Sequence, residues 1–334
     1  MATLLHDLIM DVAWKQPQQL AVRCEQSRLT YGQLAQGVER AARAFLSLGL
    51  KRDERVAVLL DKRAEALLAM FGALGAGAAF VPVDPMLKSE QAGLVLRDSG
   101  ARMLVTTPTR RLALSHALAR CPDLRCVLQT GAAGAAVPGL AVFGWDDCLR
   151  HAAPLAAARG ADTGMAALVY SCGSSGKPRA TMLSHRSVLE GAARLGEMLG
   201  RQAQQADLCL LPLSCASALG FLACSFGCAG TALLVNDIPA REVPQLAGRE
   251  GVTMVAAAPW LWMQAAALDW HGAQALRNII SVGGVLPRPT LDALRRHLPQ
   301  TETWLLPGRL AGTAGEGEHA ALTQHPGARS EQYK

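Results

Sequence analysis

Apolar residues in this chain gather into short, almost unbroken runs, among them Val56–Leu60, Met165–Tyr170 and Met254–Ala258. Strands covered by helices on both faces of a parallel sheet look like this, whereas half-exposed strands alternate. The pattern predicts a doubly wound α/β protein. A polar break at Arg159-Gly160-Ala161-Asp162-Thr163-Gly164 divides it, so residues 1–164 are read as a first αβ subdomain and 165–311 as a second. From Gly312 the chain is rich in Gly, Glu, Gln and His with no apolar period, and 312–334 is predicted to be a disordered tail.

Two stretches, Ala66–Val83 and Leu208–Asn236, carry no charge over a length that could span a bilayer. Gly72, Gly75, Gly77 and Pro82 interrupt the first, and Pro212, Gly220, Gly227 and Gly230 the second. Neither has the basic flanks and aromatic belt of a membrane helix. Buried strands and helices are the preferred reading, with a membrane span the lesser alternative.

The 334 residues allow one large or two ordinary domains, and 50% hydrophobic content is that of a globular chain. Only 4% of residues are aromatic, which favours close helix-on-sheet packing over an aromatic β-sandwich. The net charge of +6 raises the question of nucleic acid. However, arginines such as Arg40, Arg43, Arg295 and Arg296 are scattered over expected helix faces, with no basic run interleaved with aromatics, which argues against it. The nine cysteines show no paired CxxC spacing. Their odd number, their places inside apolar runs and the lack of a signal-peptide pattern fit reduced thiols in the cytoplasm. Cys224 and Cys228, one helical turn apart, invite a metal reading, but no His or carboxylate stands near them in sequence and core packing is preferred.

The apolar run ending at Tyr170 leads into Ser171-Cys172-Gly173-Ser174-Ser175-Gly176-Lys177-Pro178-Arg179 and then Met182-Leu183-Ser184-His185-Arg186-Ser187. Read as buried strand, small-residue loop and helix start, this order prepares a pocket for phosphate. Glycines admit an anion, hydroxyls and free N–H groups point inward, and a helix adds its positive end. A Walker A loop would need Gly in place of Ser171 and Ser or Thr in place of Pro178. A Gly/Ser connection with no ligand is the plainer alternative.

On these residues the loop resembles the phosphate loop of the adenylate-forming, AMP-binding superfamily, Thr-Ser-Gly-Ser-Thr-Gly-Lys-Pro-Lys-Gly followed by Ser-His-Arg-Asn. That superfamily includes acyl-CoA synthetases, nonribosomal adenylation domains and luciferases. Leu29-Thr30-Tyr31-Gly32-Gln33-Leu34, the Pro82-Val83-Asp84-Pro85 corner and Leu276–Pro287 match it in the same order. The wording is most similar to AMP-forming acyl-CoA ligases encoded beside exosortase systems. The resemblance covers most of residues 20–311. It implies the two αβ subdomains of an acyl-CoA synthetase N-terminal domain, interleaved so that the boundary at 164 is approximate. It also implies ATP or AMP as ligand, held by Ser171, Cys172, Gly173, Ser174, Ser175, Gly176, Lys177 and Arg179, with Gly283 and Gly284 in the turn that cradles adenine. Leu211–Gly220 matches the acyl-pocket turn, making Ser214 and Cys215 acyl-pocket candidates. Cys215 stands where an aromatic is usual and either widens a channel or fills a core.

The family activates a carboxylic acid with ATP, using Mg²⁺ held by the Glu of a Tyr-Gly-x-Thr-Glu motif. After an expected strand at Trp304-Leu305-Leu306, the equivalent stretch is Pro307-Gly308-Arg309-Leu310-Ala311, in which only the glycine remains. Ala311 replaces the metal-binding Glu, which argues against bound Mg²⁺. Arg179 replaces a lysine, and Ala180 replaces a glycine at a position expected to need unusual backbone angles. Nothing after Ala311 resembles the family's β-barrel subdomain or its mobile C-terminal domain with the catalytic lysine. These departures imply a truncated, noncatalytic acyl-CoA synthetase-like protein that binds nucleotide or acyl ligand or scaffolds a biosynthetic partner. An apolar face left uncovered would suit a homodimer or a protein partner. The alternative is a residual or split AMP-forming ligase completed by a second polypeptide; the third is a remnant without selected function.

Overall fold

The computed structural model describes residues 2–25, 27–134, 139–152, 161–172, 178–306 and 322–323. Its strands are β1 (Leu20–Cys24), β2 (Ser27–Thr30), β3 (Arg55–Leu59), β4 (Ala79–Pro82), β5 (Met103–Thr106), β6 (Cys126–Gln129), β7 (Ala141–Gly144), β8 (Met165–Cys172), β9 (Pro178–Ser184), β10 (Ala206–Cys209), β11 (Thr231–Leu234), β12 (Val252–Ala257), β13 (Asn278–Val282), β14 (Glu302–Leu306) and β15 (Leu322–Thr323). The α-helices are α1 (Asp7–Lys15), α2 (Tyr31–Ser47), α3 (Ala64–Gly75), α4 (Ser89–Ser99), α5 (Pro108–Ala113), α6 (Ser115–Leu118), α7 (Trp145–His151), α8 (His185–Met198), α9 (Ala216–Gly227), α10 (Val243–Arg249), α11 (Pro259–Ala265) and α12 (Arg288–His297).

Two sheets result. One has the order β7-β6-β5-β3-β4-β8-β9 and is parallel except for the β8–β9 pair. The other has the order β15-β14-β13-β12-β10-β11-β1-β2 and is parallel except at β1–β2 and β14–β15. The chain is therefore α/β with two parallel-dominated sheets. A division at residue 164 does not follow the sheets, because β1 and β2 complete the second sheet while β8 and β9 complete the first. Within 312–334, where no apolar period signals an element, β15 pairs antiparallel with β14.

The layers follow from burial. Helices α4 and α6 cover the outer face of the first sheet, and α10, α11 and α12 cover that of the second. Between the sheets lie α1, α2, α3, α7, α8 and α9, whose apolar side chains form one continuous core with both inner faces. Helices α3 and α9 are apolar nearly all round because both sit in this middle layer. They belong to the two uncharged stretches. At 12 residues each they are about 18 Å long, short of a bilayer core of about 30 Å. No helix among the described residues is long and apolar enough to cross a membrane.

Several motif residues hold these layers together. Thr30 and Gln33 form a reciprocal capping box at the start of α2, with Gln33 N–H donating to Thr30 Oγ1 at 3.3 Å and Thr30 N–H to Gln33 Oε1 at 2.9 Å. Tyr31 follows the cap, fully buried. Its ring meets Phe226 of α9 edge-on at 6.1 Å, and its hydroxyl donates to Gly230 C=O at 2.7 Å. Phe71 of α3 meets the same Phe226 at 5.7 Å, so three aromatics join the helices of one sheet to those of the other. Gly72 lets α3 lie close to α2, since a Cβ there would stand 2.5 Å from Ala41 Cβ. Cys224 and Cys228 point toward Gly196 of α8, whose added Cβ would lie 3.7 and 3.4 Å from their sulfurs. The sequence places no carboxylate near them, but the fold brings Asp207 close enough to act on both thiols. Arg201 occupies that carboxylate at 2.5 Å, both side chains being buried.

Two predictions follow from these contacts. Gly72→Val overpacks the α2–α3 crossing and is expected to destabilise the protein by about 1–3 kcal/mol, read by urea unfolding. His185 opens α8 fully inside the protein, and its Nδ1 accepts the Leu5 N–H at 3.0 Å. Burial first, and the neighbouring His6 second, pull its pKa down to about 4, against the opposing pull of Asp7 and Asp162. Because the unfolded chain then binds the proton more readily, this contribution is complete above pH ~6.5 and is lost as pH falls toward about 4. The stability gap between wild type and His185→Gln should therefore shrink on acidification, by at most about 1.4 kcal/mol per pH unit.

Candidate functional site

The glycine- and serine-rich segment does not join a strand to a helix. β8 and β9 are antiparallel neighbours, paired through Tyr170 and Ala180, Ser171 and Arg179, and Cys172 and Pro178, so the segment closes a hairpin. Gly173, Ser174, Ser175, Gly176 and Lys177 lie outside the described residues. α8 begins only at His185, after seven residues of strand, or roughly 20 Å of extended chain. A helix dipole fades within its first turn, so the positive end of α8 does not serve the hairpin. Ser184 caps α8 instead, accepting the Ser187 N–H at 3.1 Å, while Arg186 pairs with Asp162 at 2.7 Å. Ser-His-Arg-Ser is thus a structural motif in this chain. Ser171 and Arg179 are exposed at the hairpin. Ala180 sits in the β9 ladder without positive φ, so the expected crowding does not arise.

Gly283 and Gly284 leave β13 on the same edge of the second sheet. Gly283 has φ +84°, where an L side chain is disfavoured, and its N–H donates to Leu306 C=O at 3.1 Å. A Cβ on Gly284 would stand 3.0 Å from Pro259 Cγ at the start of α11. Ser281, fully buried just before the turn, has no hydrogen-bond partner for its hydroxyl among the described residues. Pro307–Ala311, reached directly from β14, lies outside the described residues.

Between the two sheets is a cavity of about 220 Å³ at the C-terminal ends of β3, β4, β10 and β11, where ligands of parallel α/β sheets usually bind. Val58, Met70, Leu210, Leu213 and Trp260 supply apolar wall, and Ser214 lines it as the sequence suggests. Cys215 is not among the lining residues. Its sulfur accepts the Ala218 N–H at 3.4 Å and caps α9.

Apart from Ser214, sequence reasoning did not single out the polar residues of this cavity. Lys62 and Asn236 come from different sheets and clasp each other: Lys62 N–H donates to Asn236 Oδ1 at 2.8 Å, and Asn236 Nδ2 donates to Lys62 C=O at 3.0 Å. Lys62 Nζ donates to Cys209 C=O at 3.1 Å. Burial pulls its ammonium below the usual lysine range, with Asp237 among the groups that oppose the shift. Asp61 is paired with Arg110 at 2.8 Å, Asp84 Oδ1 accepts the Met86 N–H at 2.8 Å, and exposed Asp237 has φ +38°. The available signal was positional: Asp61 and Lys62 follow an apolar strand, as Asp84 follows another. Phe80 of β4 pairs with Ala167 of β8, so the cavity corner and the hairpin leave the first sheet side by side.

The AMP-binding enzyme family model matches residues 10–306. The L-proline--[L-prolyl-carrier protein] ligase of Streptomyces coelicolor is 30% identical, over 81% of this chain and 52% of that protein. Tyrocidine synthase 3 of Brevibacillus parabrevis is 29% identical, over 55% of this chain and 3% of that protein. The chain thus spans about half or less of the length of these curated relatives. Among solved structures, the anthranilate CoA ligase AuaEII in complex with anthranoyl-AMP has a TM-score of 0.82 at 21% identity, covering 91% of this chain and 61% of that one. Mycobacterium smegmatis MbtA has a TM-score of 0.80 at 26% identity, covering 90% and 56%.

If Cys215 serves as a helix cap, Cys215→Ser supplies a stronger acceptor in the same place. It is expected to raise stability by about 0.5–1 kcal/mol, read by chemical unfolding. A loss of stability would contradict the capping role.

Proposed function

We propose, for a chain that belongs to the AMP-binding enzyme family over residues 10–306, a binding role without turnover of its own. An adenine nucleotide is held by the hairpin from Ser171 to Arg179 and by the Gly283–Gly284 turn, and a small carboxylate-bearing molecule occupies the cavity beside them. The observation that carries this reading is the shared edge: hairpin and cavity corner leave neighbouring strands, and the cavity is lined from both sheets. Bound ATP would supply an anhydride able to activate a carboxylate. The chain's own part is to bind and orient: Arg179 offers a guanidinium fork for phosphate oxygens, and the glycine turn leaves room for a ring. Ala311, standing where the resemblance calls for a metal-binding Glu, favours binding that does not need Mg²⁺.

One observation favours a second polypeptide over this edge. Met86, Trp260, Met263 and Val285 are exposed around it, and Met86 and Trp260 reach into the cavity wall. Such a rim suits a homodimer contact or a partner, and in a split ligase that partner would complete catalysis.

Calorimetric titration with ATP and AMP is the test. Binding in the micromolar range, little changed by Mg²⁺ and weakened by Arg179→Ala, is expected. Pyrophosphate release from ATP and a carboxylic acid should be absent, and Ala311→Glu should not create it. Release that requires Mg²⁺, from protein free of contaminating ligase, would overturn the noncatalytic reading.

A further inference from the structure

Cys224 and Cys228 stand one turn apart at the C-terminal end of α9, and no part of the candidate site uses them. Their sulfurs converge: the place of a Cβ on Gly196 of α8 lies 3.7 Å from the first and 3.4 Å from the second. Cys224 is buried and Cys228 only half-buried, so a small solute meets the second thiol first. A hydrogen bond from Cys224 draws the Cys228 thiol below the usual thiol range, with Arg201 adding to the shift and burial and Asp207 opposing it. Burial pushes Cys121, Cys126, Cys148, Cys209 and Cys215 the other way. The thiolate is the reactive form of cysteine, so Cys228 is more nucleophilic than these five and has a second thiol one turn behind it.

We infer that Cys224 and Cys228 form a reversible oxidation site for hydroperoxides, with Cys228 attacking and Cys224 resolving. The Cys228 thiolate attacks one peroxide oxygen and the O–O bond breaks. Sulfur loses two electrons and becomes the sulfenic acid, while the other oxygen leaves as alkoxide or hydroxide and takes a proton from solvent. Cys224 then attacks the Cys228 sulfur: the S–S bond forms, the S–O bond breaks, and the departing hydroxide takes the Cys224 proton as water. Cβ atoms one helical turn apart are about 5–6 Å from each other and a disulfide needs about 3.5–4.5 Å, so the end of α9 must move for the bond to close. Cys228 is the C-cap and not a residue of the helix proper, and Ala229 after it has φ +51°, where a side chain is disfavoured. The same turn is an anchor. Ala229 C=O accepts the Gln204 N–H at 3.1 Å and the Gln19 side-chain amide, and Gly230 C=O accepts the Tyr31 hydroxyl at 2.7 Å. Oxidation therefore pulls on the join between α2 and α9 and loosens the contact between the helices of the two sheets.

The full wild-type chain is treated briefly with hydrogen peroxide and read by mass spectrometry. A product lacking two hydrogens is expected, with fragmentation placing the new bond between Cys224 and Cys228 and dithiothreitol reversing it. Cys228 should be consumed at least about tenfold faster than the buried thiols Cys121, Cys126 and Cys209. Cys224→Ser removes the resolving thiol, so a sulfenic acid at Cys228 should persist and be trapped by dimedone; Cys228→Ser should give neither product. The melting temperature of the oxidised wild type should fall by a few degrees and recover on reduction, and the same treatment should leave that of Cys228→Ser where it began. A bond between any other pair of cysteines, a sulfinic acid at Cys228 without a disulfide, or a wild-type melting temperature unmoved by closure of the bond overturns the proposal, and each of these is read on wild type even if a variant does not fold.

Discussion

Everything at the candidate site depends on two parallel sheets presenting their C-terminal edges to one place. The clasp between Lys62 and Asn236 is where this constraint is visible, since one residue leaves β3 in the first sheet and the other leaves β11 in the second. Two hydrogen bonds contribute on the order of 1 kcal/mol each, too little to hold sheets together. That work falls to the middle helix layer, where Tyr31, Phe71 and Phe226 bury large aromatic surface across the join. The core brings the edges near each other, and the clasp sets their relation to within a hydrogen bond's tolerance. A cavity wall assembled from four strands needs both.

The hairpin changes how an anion could be held. A loop at a helix start draws on an aligned dipole, whereas a loop between antiparallel strands has only its own N–H groups and the side chains beside it. Arg179 lies opposite Ser171 at the base of that hairpin, so the exchange of a lysine for a planar fork bears directly on phosphate geometry. The residues that make Ser184–Ser187 look like part of a phosphate site are engaged in capping α8, anchoring Leu5 and pairing with Asp162. A motif can stay intact because the fold needs it.

Much of the architecture was legible because it rests on periodicity. β3 and β12 are buried on both faces and read as apolar runs, and the all-apolar composition of α3 and α9 reports the middle layer they occupy. β9 was not legible: it is a mostly exposed edge strand, so Pro178–Ser184 shows neither an apolar run nor clean alternation. Ser214 was recognisable as a cavity residue, yet its neighbour Cys215 turns away to cap a helix, a difference of side-chain direction that composition does not encode. Lys62, Asn236 and Asp237 escaped for a different reason. Their chemistry exists only once strands distant in sequence end at the same edge, and a lone lysine after a strand reads as a solvated loop residue until then.

Charge links the hairpin to the cavity. Asp84 leaves β4 beside β8, and its carboxylate forms no ion pair among the described residues, so it would repel a polyphosphate held at the hairpin. An ammonium resting on Asp84 would remove that repulsion, and phosphate at the hairpin would in turn strengthen the hold on the ammonium. Such a coupling must be equal in both directions because it is one free energy seen from two sites. A purely apolar acid in the cavity would leave Asp84 charged and give no such coupling. An acidic rim at this edge would therefore make any anion held at the hairpin sensitive to the charge of the molecule beside it.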